Sequence, residues 1–302
     1  HRDLHSFPTR RSSDLPTPRW PWWHQTDGPD DYRIRELLRA VWDLHALYGQ
    51  HTWLWRGQPN YTHDLTAGIH TRVAAGGLAN ECVVECTTDL IGAARDARLD
   101  LHEDARLPDL ALLAMLQHHG AATPLLDVSL DPLVALYMAV VSPNPADDDN
   151  DGVLFAIRRP QSTLMAFDSG PFNEVYNQLP DDAAVLYTAP DVSERLRIQR
   201  GHFLLAKVAD KFRTTLPLTI DNPSQGLANA WIYKLMAARG VQGQPAVTSD
   251  VAVFRVTAKF KSALRGWLEA RSGLTPAFVL PTAWHRPHLD ARSEERRGRE
   301  RV

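Results

Sequence analysis

Leu112–Val141, LLAMLQHHGAATPLLDVSLDPLVALYMAVV, reads as helix, turn, strand, turn and helix, and it is the most apolar run of the chain. Leu112, Leu113 and Leu116 recur at helical spacing, and Gly120 follows where a left-handed residue closes a helix at least cost. Pro124–Val128 is short, apolar and flanked by turn residues, as a buried strand is. Asp131 and Pro132 supply an N-cap and a proline at the first helical position. The helix behind them, Leu133–Val141, is apolar nearly all round and should be buried. Polar groups gather at the joints: Gln117, His118, His119, Thr123, Asp127, Ser129 and Asp131. A hydrophobic frame with polar residues at strand and helix ends is how pockets are built.

Upstream, Trp20, Trp22 and Trp23 with Pro18 and Pro21 read as an extended segment packing its indoles on the body. Asp30–Tyr48 is an amphipathic helix with Ile34, Leu37, Leu38, Val41, Trp42, Leu44 and Leu47 as its stripe, stopped by Gly49. His51–Trp55 is a short aromatic strand, and Arg56-Gly57-Gln58-Pro59 follows at its end. An arginine there, released by Gly57, is placed to hold a phosphate or carboxylate with its fixed fork. The alternative is a structural arginine that ties down loops through backbone carbonyls. Asn60–Val73 reads as loop with a short helical or turn element carrying His63, His70 and Arg72, and Leu78–Leu99 as a long helix.

Downstream, Asp147–Asp151 is an acidic surface turn, and Gly152–Ile157 a strand. Arg158–Pro190 is irregular and suited to covering a pocket. Ser193–Ile198 reads as a short helix, Gly201–Val208 as a strand, and Asp210–Gln225 as loop. Leu227–Ala238 is an apolar helix, Val251–Val256 an alternating strand, and Lys259–Arg271 a helix ended by Gly273. Strands scattered among helices without strict alternation indicate α+β: a single mixed domain over residues 51–290, with a helical N-terminal preface over 16–50.

The arms at the two ends differ from this body. HRDLHSFPTRRSSDL (1–15) resembles a translated sequencing adapter of the kind found on metagenomic reading frames, and ARSEERRGRERV (291–302) its opposite-strand counterpart. Both are polar and Arg-rich without apolar periodicity, so both are expected to be disordered. Together they hold eight basic and five acidic residues, which leaves 25 basic and 31 acidic from totals of 33 and 36. A body of net −6 argues against a generic nucleic-acid grip, which needs a basic face. No apolar run reaches the length of a membrane span, and no signal-peptide pattern opens the chain. Cys82 and Cys86 are the only cysteines, read as two reduced, half-buried thiols in a cytoplasmic protein.

Four landmarks carry a family resemblance. QHHGAATPLLDVSLDPLVALYMAV (117–140) resembles the central motif of the FRG domain, a family named for a Phe/Tyr-Arg-Gly tripeptide. Trp55-Arg56-Gly57-Gln58 matches the tripeptide, RIQRGHF (197–203) is similar to a Gln-x-Gly-x-Phe segment, and KSALRGWLEARSGLTPAFVLP (261–281) resembles the closing helix and turn. A more distant similarity links Trp55-Arg56-Gly57 to the aromatic-Arg-Gly strand that opens the NAD pocket of ADP-ribosyltransferases. Asp127-Val128-Ser129, followed by Ala135 and Tyr137, has the outline of their Ser-Thr-Ser strand and helix, with aspartate for the first serine. Gln199 stands nearest to their catalytic glutamate, and Glu194 lies five residues earlier.

The resemblance implies an ADP-ribosyltransferase-like sheet core around a nucleotide-like small molecule, NAD or a relative, in bacterial defence or toxin systems. It implies Arg56, Asp127, Ser129 and Gln199 as catalytic candidates, with Gly57, Gln58, Arg72, His118, His119 and Thr123 beside Arg56 and Asp127 as binding candidates. A glutamine in the glutamate's place withholds a full negative charge, and electrostatic help of that kind is worth about 3 kcal/mol. A non-catalytic sensing or protein-interaction domain using the same pocket is therefore the alternative, and no protein partner is specified.

His118-His119 invites a metal reading, with His63, His70, His285 or His288 as third ligand. Adjacent helical side chains point about 100° apart, which favours one histidine lining a pocket and the other capping the helix, with no metal. Asp127 also has a structural alternative, accepting backbone N–H groups around Ser129–Leu133.

Overall fold

The computed structural model describes residues 22–23, 28–47, 53–63, 65–78, 82–102, 105–142, 144, 147–164, 170–190, 201–207, 216–218 and 250–276. In chain order their elements are β1 (Trp22–Trp23), α1 (Asp30–Leu47), β2 (Trp53–Gln58), α2 (Gly68–Ala75), α3 (Cys82–Asp96), β3 (Leu101–His102), β4 (Ala105–Arg106), α4 (Asp109–His118), β5 (Leu126–Ser129), α5 (Pro132–Val140), β6 (Gly152–Arg158), β7 (Thr163–Leu164), α6 (Phe172–Gln178), β8 (Ala184–Tyr187), β9 (Gly201–Ala206), β10 (Val251–Val256) and α7 (Ala258–Ser272). Eight strands form one sheet in the order β1-β10-β6-β2-β5-β9-β8-β7, and β3 and β4 form a separate pair. The central neighbours are antiparallel, while β1 joins β10 and β7 joins β8 in parallel. Helices interspersed around a mixed sheet make this an α+β fold.

Alternation along the strands sorts the core into three parts. On one side of the sheet, Trp53, Trp55, Leu154, Ala156, Ala252 and Phe254 pack with Leu37, Val41 and Leu44 of α1, Leu136 and Tyr137 of α5, and Phe260, Leu264 and Leu268 of α7. A second cluster joins Val185, Tyr187, Phe203 and Leu205 to Ile91 of α3, Leu110–Leu113 of α4, and Phe172 and Tyr176 of α6. The intervening strand residues, among them Leu54, Leu126, Val128, Phe155, Leu186, Leu204 and Val253, form a third cluster with Leu65, Ala67 and Leu216. The first two clusters meet between β2 and β5.

The helix α5 crosses that boundary. Its start is fixed as the sequence indicates: Asp131 accepts from the Leu133 N–H at 2.9 Å and the Val134 N–H at 3.4 Å, and Pro132 opens the first turn. Asp131→Ala is expected to lower stability by about 1 kcal/mol, the usual worth of such a cap, as read from a chemical denaturation midpoint. From this cap α5 runs onto β2 and β6 at very close range. A Cβ at Gly57 would lie 1.7 Å from the Ala135 carbonyl oxygen, and one at Gly152 would lie 2.1 Å from that of Ala139. Only glycine fits at either place.

Several expectations change. The strand does not stop at Trp55: Arg56, Gly57 and Gln58 continue it in full register with β6, so Gly57 gives α5 room and does not release the chain. Strand β5 begins at Leu126 and includes Ser129. Residues 158–190 are not simply irregular; they hold β7, α6 and β8, and Phe172, Tyr176, Val185 and Tyr187 belong to the core. Trp42 leaves the α1 stripe, with 59% of its surface exposed. The acidic turn is tied inward, since Asp151 accepts from Arg255 Nε at 2.5 Å and from the Ala258 N–H at 2.8 Å. Gly120, at φ 86°, closes α4, and Gly273, at φ 69°, closes α7. The helices read at Ser193–Ile198 and Leu227–Ala238 lie outside the described residues, as do most of the loop read at Asp210–Gln225 and both adapter-like arms. Cys82 and Cys86 are free thiols of intermediate burial. No described helix is long and apolar enough to cross a membrane.

Candidate functional site

Strand pairing is uneven across the sheet. Strand β2 pairs with β6 through six residues and β5 pairs with β9 through four, but β2 and β5 share one pair, Trp55 with Ser129. Ser129 also pairs with Gly201, so this residue joins the two halves of the sheet. Beyond it the ladder between β2 and β5 opens.

Arg56 occupies the opening. By alternation it starts on the face of Leu54, whereas Asp127 belongs to the face of Leu125. They meet because the guanidinium reaches between the strands: Arg56 Nη1 donates to the backbone oxygen of Asp127 at 2.8 Å and lies 3.8 Å from Asp127 Oδ2. The first contact replaces a ladder bond. The second is an ion pair too long to be a hydrogen bond. The Arg56 side chain keeps 21% of its surface exposed and the Asp127 side chain 52%, so the carboxylate stands at the mouth and the guanidinium deeper. Burial pulls the Arg56 pKa below its ordinary value, and Asp127 opposes that shift.

Around this pair is a cleft of about 180 Å³, lined by Trp55, Gly57, His118, Val128, Ser129, Val134, Ala135, Met138 and Gly201 as well as Arg56 and Asp127. It sits at the seam where the two helix-covered clusters meet. His118 enters from the last turn of α4, edge-on to Phe203 with ring centroids 6.3 Å apart. Val134, Ala135 and Met138 enter from α5 as an apolar wall, and the Ser129 hydroxyl accepts from the Asp131 N–H at 3.0 Å. Asp131, and not Asp127, is the residue that caps the backbone around Ser129–Leu133.

Five of the candidates, Arg56, Gly57, His118, Asp127 and Ser129, are thus brought together, with Gly201 beside them. Others are not. Arg72 is exposed on α2, and His119 is exposed at the C-terminal cap of α4. Thr123 is buried as a joint: its hydroxyl bonds to Gln117 Oε1 and accepts from the Leu125 N–H. Gln58 is buried in β2 opposite Val153 and does not line the cleft. Gln199 and Glu194 lie outside the described residues. Among the described residues no group of His, Cys, Asp and Glu is arranged to hold a metal ion. Reading the sequence missed the α5 wall, because Val134, Ala135 and Met138 look like ordinary core; Gly201 had a signal in its place beside RIQR.

Residues 51–148 match the family model of the FRG domain. That span runs from β2 through α5 and contains the Arg56–Asp127 pair, His118 and the apolar wall. No curated protein and no solved structure matches the chain.

Proposed function

We propose, for a chain that carries an FRG domain at residues 51–148, that the cleft between β2 and β5 is a binding site for an NAD-like nucleotide, with ADP-ribosyltransferase-like chemistry. The observation that carries this reading is the state of Arg56. A guanidinium has five N–H donors, yet among the described residues Arg56 makes a single hydrogen bond, to the Asp127 backbone, and its buried Nε meets no acceptor there. Buried donors left open are costly, and a ligand acceptor is what offsets that cost. The adjacent carboxylate, the serine, and the flat apolar wall of α5 give a ribosyl or ring-bearing fragment both polar and apolar contacts. A cleft of about 180 Å³ holds one such fragment, with the rest of a dinucleotide lying outside it.

In a glycosyl transfer of this type, Asp127 would stabilise positive charge developing on the sugar as the leaving group departs, at the place Arg56 fixes. Gln199, which the resemblance sets where a transferase has its catalytic glutamate, carries an amide without charge. The second reading, a sensing domain without turnover, is favoured by that glutamine in the glutamate's position. Nicotinamide release from NAD separates the two: transfer chemistry releases it above background, and a sensor does not.

Arg56→Lys tests the site itself. Lysine keeps the charge and can reach one carbonyl, but it loses the fork. Titration calorimetry with NAD is expected to show a loss of about 1.5–3 kcal/mol in binding with the fold retained. Unchanged affinity together with a lower melting temperature would make Arg56 a structural arginine and remove the proposal.

A further inference from the structure

We infer that Asp127 sets what Arg56 can read: the cleft admits an uncharged group that accepts from the guanidinium and donates to the carboxylate, and it turns a phosphate dianion away. This inference rests on the cleft being a ligand site. It concerns which end of the ligand enters.

Two devices near the cleft would ordinarily attract an anion, and each already has a carboxylate. The guanidinium has Asp127 Oδ2 at 3.8 Å. The N-terminus of α5, a natural anion site, has its Leu133 and Val134 N–H groups taken by Asp131. In the cleft the one guanidinium is balanced by the Asp127 carboxylate, and at the helix end Asp131 has already taken the N–H groups an anion would use. Asp127 is the more exposed of the pair, 52% against 21%, so any group that reaches the guanidinium must come in beside it. A phosphate bound to Arg56 would lie within a few ångströms of that carboxylate, where partial burial leaves the repulsion poorly screened.

An uncharged donor–acceptor group meets no such conflict. Arg56 has donors to spare, and at 3.8 Å neither Arg56 nor Asp127 spends a hydrogen bond on the other's side chain. A primary carboxamide or a vicinal diol can accept from Arg56 and donate to Asp127 at once, with its ring against Val134, Ala135 and Met138. The neutral end of a nucleotide fits inside; its phosphates belong outside.

Calorimetry on the full chain with nicotinamide, ribose and inorganic pyrophosphate as separate probes tests this, using wild type, Asp127→Asn and Asp127→Ser. Wild type is expected to bind nicotinamide or ribose, each probe reporting its own chemistry, and pyrophosphate at least tenfold more weakly. Either substitution should tighten pyrophosphate at least tenfold and weaken the uncharged probe. Both variants should fold, because the structural bond of Arg56 goes to the Asp127 backbone, and the serine variant serves if the asparagine one does not. Wild-type pyrophosphate binding as tight as that of the uncharged probes, or unchanged in both variants, overturns the inference alone. No binding of any probe to any of the three proteins overturns the ligand-site reading with it.

Discussion

Gly57→Ala is expected to cost more than about 3 kcal/mol of stability, enough to prevent folding at physiological temperature or to leave an expanded state. The added Cβ would sit 1.7 Å from Ala135 O and 2.7 Å from Ala139 N, and both are backbone atoms of a helix that cannot swing aside as a side chain can. To make room, α5 would have to lift from β2, and Trp53, Trp55, Leu136 and Tyr137 of the shared core would lose contact. Gly152→Ala should behave similarly, at 2.1 Å from Ala139 O, though its Cβ also approaches the Lys261 side chain at 3.2 Å. Urea denaturation of the two variants is the check. A loss below about 1 kcal/mol at Gly57 would mean that α5 does not rest on β2 as described.

The second large effect is expected at Lys261. This lysine is 2% exposed, and its Nζ donates to the Pro59 carbonyl at 2.5 Å and to the Asp147 carbonyl at 2.7 Å. It thereby ties the end of β2 and the acidic turn to α7. Burial pulls its pKa below the ordinary lysine value; Asp148 and Asp147 oppose the shift, Arg265 adds to it, and Asp151 opposes it weakly. Lys261→Met keeps the stem's bulk but removes two charge-assisted hydrogen bonds. The expected loss is about 3 kcal/mol, or roughly 10 °C in melting temperature for a domain of this size. A shift of under 2 °C would show that the latch contributes little.

What could be read in the sequence was local. Asp131-Pro132 followed by an all-apolar run specifies a buried, capped helix, and the structure has it at Pro132–Val140. The period of α1 placed Ile34, Leu37, Val41 and Leu44 inward, although Trp42 on its flank faces solvent. The tripeptide flagged Arg56 and Gly57 but misassigned the glycine, since close approach of a helix 75 or more residues later leaves no trace in neighbouring residues. The meeting of Arg56 with Asp127, 71 residues apart, depends on a ladder that fails after one pair, and no local pattern encodes that failure. Strand β7 has two residues and α6 has seven, both too short for any period to show, so residues 158–190 read as loop. Thr123 and His119 were polar residues at joints, but one closes a turn and the other faces solvent.

Hydrogen–deuterium exchange on the full chain, with and without NAD, addresses the central claim: that the opening between β2 and β5 is where ligand binds. Added protection should concentrate on Trp53–Gln58, Leu126–Ser129 and the first turns of α5, and should disappear with Arg56→Lys at the same NAD concentration. Protection confined to the α1–α7 surface around Trp42 and Trp267, or none at any segment at saturating NAD, would contradict the account.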